Sequence, residues 1–106
     1  MFSGNIAVRT NDGHSIINNL GQRMNLPRDI KIGNHVWIGM NSTILKGAHI
    51  ATGGIVGANS VVTKQFNDEY TIIAGDPAIV IKSGGYDWRR ERGFKFSPED
   101  FRNYEF

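Results

Sequence analysis

The chain contains no cysteine, which excludes disulfides, thiolate metal sites and a cysteine nucleophile. No apolar run approaches the roughly 20 residues that a membrane-spanning helix needs. The N-terminus does not combine basic residues with an apolar stretch, so the sequence predicts no secretion signal and a cytoplasmic protein. The excess positive charge is only +2, which is too small to indicate a nucleic-acid partner.

Proline is also scarce, with three residues, whereas glycine is plentiful, with 13 among 106 residues. The glycines indicate many tight corners. The length is that of one domain, and a hydrophobic content of 40% is typical of a folded chain. A domain of this size buries only about 60–65% of its unfolded surface. Without disulfides or a metal, we expect it to need a partner to complete its core.

A period of six residues runs through the middle of the chain. It fits neither an amphipathic helix nor an alternating strand, and the strands of an ordinary sandwich recur about every 8–12 residues. A short strand followed by a corner explains it, because three such faces close a coil and stacked coils pair as parallel strands around an aliphatic core. We expect such coils over residues 26–67, with these aliphatic side chains inside: Leu26, Ile32, Ile38, Ile44, Ile50, Val56 and Val62.

Three runs resemble the hexapeptide-repeat acyltransferases: residues 32–39 (IGNHVWIG), 56–64 (VGANSVVTK) and 74–78 (AGDPA). The resemblance implies an all-β fold, the left-handed parallel β-helix, which usually assembles as a homotrimer. It also implies transfer of an acetyl group from acetyl-CoA to a hydroxyl, or second to an amine, of a sugar or polysaccharide precursor, without a metal. The six-residue period itself does not give the hand of the helix.

Two segments near the N-terminus lie outside the repeat. Residues 1–13 are similar to part of an earlier coil, with Phe2, Ile6 and Val8 as inward candidates. Residues 14–25 break the six-residue register and predict a loop that leaves the coil.

The composition changes after residue 83, so we divide the chain into a β-helix domain, residues 1–83, and a C-terminal tail, residues 84–106. A short helix is predicted to start at Ser97, with Pro98 in its first position and Asp100 as a capping acid. The tail is rich in aromatic residues, and we expect it to fold back across the coils or onto a neighbouring subunit.

Acyl transfer to a hydroxyl requires a base and donors for the oxyanion. Of the three histidines, His35 and His49 occupy outward positions of the repeat and are expected to face solvent or a neighbour. His14 lies where the coil gives way to the loop, near Asp12, and a carboxylate there can fix the imidazole tautomer. In the family, the catalytic histidine lies upstream of the Val-Trp-Ile-Gly run. The resemblance therefore implies that His14, 23 residues before Trp37, is the general base.

The family binds coenzyme A in a groove between coils of adjacent subunits. The resemblance implies that the following residues contact it: Trp37, Gly39, Met40, Ala58, Thr63, Lys64 and Lys82. Solvated surface lysines are the alternative for the last two, and a subunit interface is the alternative for Trp37. Ile79 departs from the family pattern, because relatives often place a basic residue there. Arg9 either holds an acidic group of the acceptor or faces solvent.

Two other functions compete with acetyl transfer. A γ-class carbonic anhydrase holds zinc with three histidines on the same kind of β-helix, two of them five positions apart. The histidines here are separated by 21 and 14 residues, which does not fit such a site. The second alternative is a truncated, catalytically impaired β-helix protein with a structural or oligomerisation role, because family members are usually longer at the N-terminus.

Overall fold

The computed structural model describes residues 1–11, 13–90 and 96–102, and within them the chain forms a parallel β-helix. The strands are β1 (Ala7–Val8), β2 (Lys31–Ile32), β3 (Trp37–Ile38), β4 (Thr43–Ile44), β5 (His49–Ile50), β6 (Ile55–Val56), β7 (Val61–Val62), β8 (Gln65–Phe66), β9 (Ile72–Gly75) and β10 (Ala78–Lys82). The first face consists of β3, β6, β9 and β10, the second of β1, β4 and β7, and the third of β2, β5 and β8.

From β1 to β9, consecutive strands lie on different faces, which is what a six-residue period produces. Ile44 pairs with Val8 in the preceding coil and with Val62 in the following one, so equivalent side chains stack along the axis. The inward column is confirmed: five of its members are at most 2% exposed, and Ile32 is partly buried against them. The five are Ile38, Ile44, Ile50, Val56 and Val62.

The register differs from the expectation at both ends of the repeat. Leu26 is 61% exposed, because the continuous coils begin only at β2. On the third face, the second full coil buries Phe66, whereas six-residue steps from Val62 lead to Asp68. That side of the coil is two residues shorter, so the strict period ends there.

The corners of the described coils contain a residue with a positive φ angle, except the corner between β7 and β8. Few residue types adopt such an angle without strain. The corner between the first and second faces uses the same residue type in every coil, with φ of 59° at Asn5, 60° at Asn41 and 58° at Asn59. We call this corner the first edge, the corner between the second and third faces the second edge, and the corner between the third and first faces the third edge.

Residues 1–8 form part of an N-terminal coil, as expected. Phe2 bridges to Ile38, and β1 pairs with β4. Ile6 packs against the core, but Phe2 and Val8 remain about half exposed at the end of the stack.

The loop is longer than predicted and spans residues 9–30, between β1 and β2 at the second edge. Ile17 and Arg23 form an antiparallel bridge within it. The loop exposes several large apolar side chains, namely Ile16, Ile17, Leu20, Met24 and Leu26.

At the other end, β9 and β10 form an antiparallel pair, and the chain then returns along the coils. Trp88 is 5% exposed, so the described part of the tail folds back as expected. The predicted helix is not confirmed: Pro98–Asp100 form one 3₁₀ turn that follows Ser97. No helix among the described residues is long and apolar enough to cross a membrane.

Candidate functional site

His14 lies near the start of the loop with its side chain exposed. Asn25, which is 6% exposed, holds the backbone around it. The Asn25 Nδ2 donates to the His14 carbonyl oxygen at 2.6 Å, and its Oδ1 accepts from the Ile16 N–H at 2.6 Å. One buried carboxamide therefore closes the base of the loop. Asn25 was not predicted from the sequence, because nothing in the spacing of residues marks it. Asp12 lies outside the described residues.

Arg9 follows β1 directly and is exposed. Its backbone N–H donates to the Ile44 carbonyl at 2.9 Å, which fixes the point where the chain leaves the coil. Among the described residues, no side-chain hydrogen bond or ion pair joins Arg9 to His14. Both residues belong to the segment that departs from the second edge.

The residues predicted near the pantetheine arm meet at the first edge. Gly39 packs so closely on the next coil that a Cβ there would lie 2.6 Å from the Ala58 nitrogen. The adjacent Met40 is 54% exposed, and its carbonyl accepts from the Asn59 N–H at 2.9 Å. Trp37, on the first face, is 38% exposed. At this edge Gly39 is buried against the next coil, whereas Met40 and Ala58 are exposed.

The residues predicted near the nucleotide lie elsewhere. Thr63 and Lys64 follow β7 at the second edge and are exposed, with the Lys64 Nζ 5.5 Å from the Phe66 ring centroid. Lys82 ends β10, with its Nζ 5.4 Å from the Tyr86 ring centroid. The described hydrogen bonds and ring contacts connect neither lysine with the first edge. Within one subunit, the structure brings together Gly39, Met40 and Ala58, and leaves His14 and the lysines at other positions.

The expectation for His35 was wrong, since its side chain is buried at the third edge. It is 8% exposed and stacks on Trp88 with ring centroids 4.0 Å apart and planes 5° apart. Its Nε2 lies 3.0 Å from the Trp88 carbonyl oxygen and 3.1 Å from Asp87 Oδ1, and both are acceptors, so Nε2 carries the proton. An outward position is buried here because the tail covers it.

His49 is partly buried, and its Nδ1 lies 2.6 Å from the Asn67 Oδ1. Among the described residues, no group of three or more His, Asp or Glu side chains is arranged to hold a metal ion.

Comparison with known families identifies the repeat. Residues 29–64 match the family described as bacterial transferase hexapeptide (six repeats). These residues include the strands that form the stacked coils from β2 to β7. Residues 29–64 therefore carry the hexapeptide repeat of that family, and the coils are those of a left-handed parallel β-helix, as in the similar acetyltransferase structures.

Individual relatives narrow the comparison. The putative lipopolysaccharide biosynthesis O-acetyl transferase WbbJ of Escherichia coli (strain K12) is 42% identical over 71 residues, covering 59% of this chain and 36% of the relative. The crystal structure of the polysialic acid O-acetyltransferase OatWY is similar with a TM-score of 0.85 and 36% identity, over 92% of this chain and 46% of that one.

A third relative was solved with a donor bound. The hexapeptide-repeat acetyltransferase VCA0836 of Vibrio cholerae O1 biovar eltor, complexed with acetyl-CoA, has a TM-score of 0.61 and 25% identity, over 76% of this chain and 46% of that one. The chain spans less than half the length of each of these three proteins.

Proposed function

We propose that the protein transfers an acetyl group from acetyl-CoA to a hydroxyl of a sugar or polysaccharide, with an amine as the second choice of acceptor. The observation that carries the proposal is the likeness to the polysialic acid O-acetyltransferase, which extends over 92% of this chain and therefore includes the loop and the tail as well as the repeat.

The chemistry assigned to His14 is general-base catalysis. Its imidazole takes the proton from the acceptor hydroxyl as the oxygen attacks the thioester carbonyl, and a backbone N–H stabilises the oxyanion. When the tetrahedral intermediate collapses, the C–S bond breaks and the imidazolium returns the proton to the coenzyme A thiolate. The chain has no cysteine, which favours this direct attack over a thioester on the enzyme. Asp12 is proposed to orient the imidazole.

The donor is proposed to lie along the first edge. Acetyl-CoA carries two amides in its pantetheine arm, and these amides are proposed to bind at the exposed residues Met40 and Ala58 of this edge. Trp37 and Met40 contribute apolar surface beside it. The phosphates are assigned to Lys82 and to Lys64, with Thr63 next to it, because exposed ammonium groups form charge-assisted hydrogen bonds with phosphate oxygens. Since Thr63 and Lys64 lie at the second edge, they would reach the donor from the neighbouring subunit that also presents His14.

An acidic saccharide is the acceptor that Arg9 favours. Its exposed guanidinium lies on the segment that leads to His14, so it can hold a carboxylate of the acceptor near the base. Two of the similar proteins are named for transfer to polysialic acid and for lipopolysaccharide biosynthesis.

The proposed assembly is a homotrimer in which His14 of one subunit faces the first edge of its neighbour. The exposed apolar side chains of the loop support it, because a monomer of this size leaves them in water. The Ala58→Trp substitution blocks the first edge. Mixing His14→Ala chains with Ala58→Trp chains should restore part of the activity, because at some interfaces an intact His14 then faces an intact first edge. Sedimentation as a folded monomer at micromolar concentration, or mixtures as inactive as their parents, would contradict the shared site.

The direct test of the function is thiol release from acetyl-CoA across a panel of acidic and neutral saccharides. His14→Ala should lower kcat by about 100- to 10,000-fold, the usual contribution of a general base, while His49→Ala should retain activity. Unchanged turnover in His14→Ala would end the assignment. A folded trimer that releases no thiol with any acceptor would favour the structural alternative.

A further inference from the structure

The tail is joined to the coil by reciprocal contacts between Trp88 and His35. The Trp88 Nε1 donates to the His35 carbonyl at 2.8 Å, while the His35 Nε2 donates to the Trp88 carbonyl at 3.0 Å, and the two rings stack. Asp87 adds a carboxylate 3.1 Å from the same Nε2 and accepts the Trp88 N–H at 2.9 Å. Ring stacking on His35, two hydrogen bonds with His35 and the carboxylate of Asp87 thus fix the position of Trp88 at the third edge.

Trp88 in turn contacts the other tryptophan of the chain. The ring centroids of Trp37 and Trp88 are 6.2 Å apart, with their planes tilted by 49°, an arrangement typical of attractive aromatic pairs. The Trp37 Nε1 donates to the Ser3 hydroxyl at 3.2 Å. The Trp37 indole is therefore held by Ser3 of the N-terminal coil and by Trp88 of the tail, although it is 38% exposed.

We propose that Trp88 is a positioning residue: anchored by His35 and Asp87, it holds the Trp37 indole in the orientation that the acetyl-CoA groove requires. The inference rests on the proposed function insofar as Trp37 lines that groove. It assigns to the tail a role in donor binding through Trp37, without direct contact between Trp88 and the donor.

A kinetic double-mutant cycle tests this role. In the wild-type background, Trp88→Ala should raise the KM for acetyl-CoA about tenfold or more, because a small displacement of a substrate-positioning group has large kinetic effects. In a Trp37→Ala background the same change should have no further effect on KM, since the group it positions is absent. Equal increases in both backgrounds would overturn the proposal and indicate a general structural role. Phe101→Ala is the matched control, because that tail ring packs on Tyr70 and should leave KM unchanged.

A spectroscopic comparison decides the same question without catalysis. The chain has only two tryptophans, so Trp37 is the sole indole in both Trp88→Phe and Trp88→Ala. Phenylalanine retains a ring beside Trp37, and it should preserve the high fluorescence anisotropy and limited acrylamide quenching of that indole. Alanine should lower the anisotropy and raise the quenching constant at least twofold.

The two failures are distinguishable. Identical quenching and anisotropy in the two variants would overturn the positioning role even if acetyl transfer is observed. A difference between them would support it even if no acceptor is found and the proposed function fails.

Discussion

Adding one methyl group at Gly39 tests both the packing of the coils and the location of the donor groove. In Gly39→Ala, the new Cβ would lie 2.6 Å from the Ala58 nitrogen and 2.9 Å from its Cα. Both are backbone atoms, so no side-chain rotation relieves the clash, and the two coils must separate locally at the first edge. Gly33 offers a matched control, since a Cβ there would lie 2.6 Å from the Thr52 nitrogen and 2.9 Å from its Cα, at the third edge.

Overpacking of this kind usually costs about 1–3 kcal/mol of the free energy of unfolding. For a domain of this size each kcal/mol lowers the Tm by about 4–8 °C, so both variants should lose roughly 5–20 °C. Thermal unfolding followed by circular dichroism at a fixed protein concentration measures this loss. A wild-type Tm in Gly39→Ala would contradict the close contact between the coils.

The functional effects of the two variants should differ. Gly39→Ala should raise the KM for acetyl-CoA at least tenfold, because it disturbs the backbone proposed to bind the pantetheine arm. Gly33→Ala should raise KM by a smaller factor, because no donor contact is assigned to the third edge and only the ring contacts of Trp88 relate that edge to Trp37. KM values measured below both unfolding transitions separate binding from stability. Equal increases in both variants would refute the assignment of the groove to the first edge.

The remaining predictions concern the core and the nucleotide. Ile44→Ala should lower the free energy of unfolding by about 2–5 kcal/mol in urea titrations, because the residue is fully buried. Val8→Ala on the same face should cost less than half as much, because Val8 is 46% exposed. Equal losses in the two variants would contradict the stacked core. Lys64→Ala should raise the KM for acetyl-CoA about tenfold or more, because a charge-assisted contact is lost. Lys31→Ala, which removes another exposed lysine, should leave KM unchanged. Similar KM values in the two variants would indicate that Lys64 is an ordinary surface lysine.

The six-residue repeat was sufficient to predict the architecture of the faces. The period predicts one inward aliphatic residue in each short strand, and the structure buries these residues in stacked, parallel strands. The period does not predict where the stacked coils begin and end in the sequence. Leu26 continues the pattern although it lies in the loop, and Phe66 replaces the next expected position, because a register in sequence does not record where the chain leaves the coil.

The outward residues were harder to predict than the inward ones. In a solenoid, an outward side chain is exposed unless a segment outside the repeat covers it, and the repeat contains no information about that segment. His35 shows the consequence: its partners Asp87 and Trp88 lie more than 50 residues later in the sequence. Two features of the tail pointed to an interaction with the coils, namely its aromatic content and its departure from the repeat, but neither identified the corner that it would cover.

The residues of the proposed site lie at different edges of the chain. The loop with His14 leaves the second edge of the prism, whereas Gly39, Met40 and Ala58 lie at the first edge. Among the described residues, no hydrogen bond or ring contact joins His14 to the first edge. The proposed function therefore relies on the proposed homotrimer, in which a second copy presents the missing edge. Dilution to a concentration at which the proposed trimer dissociates should therefore abolish transfer.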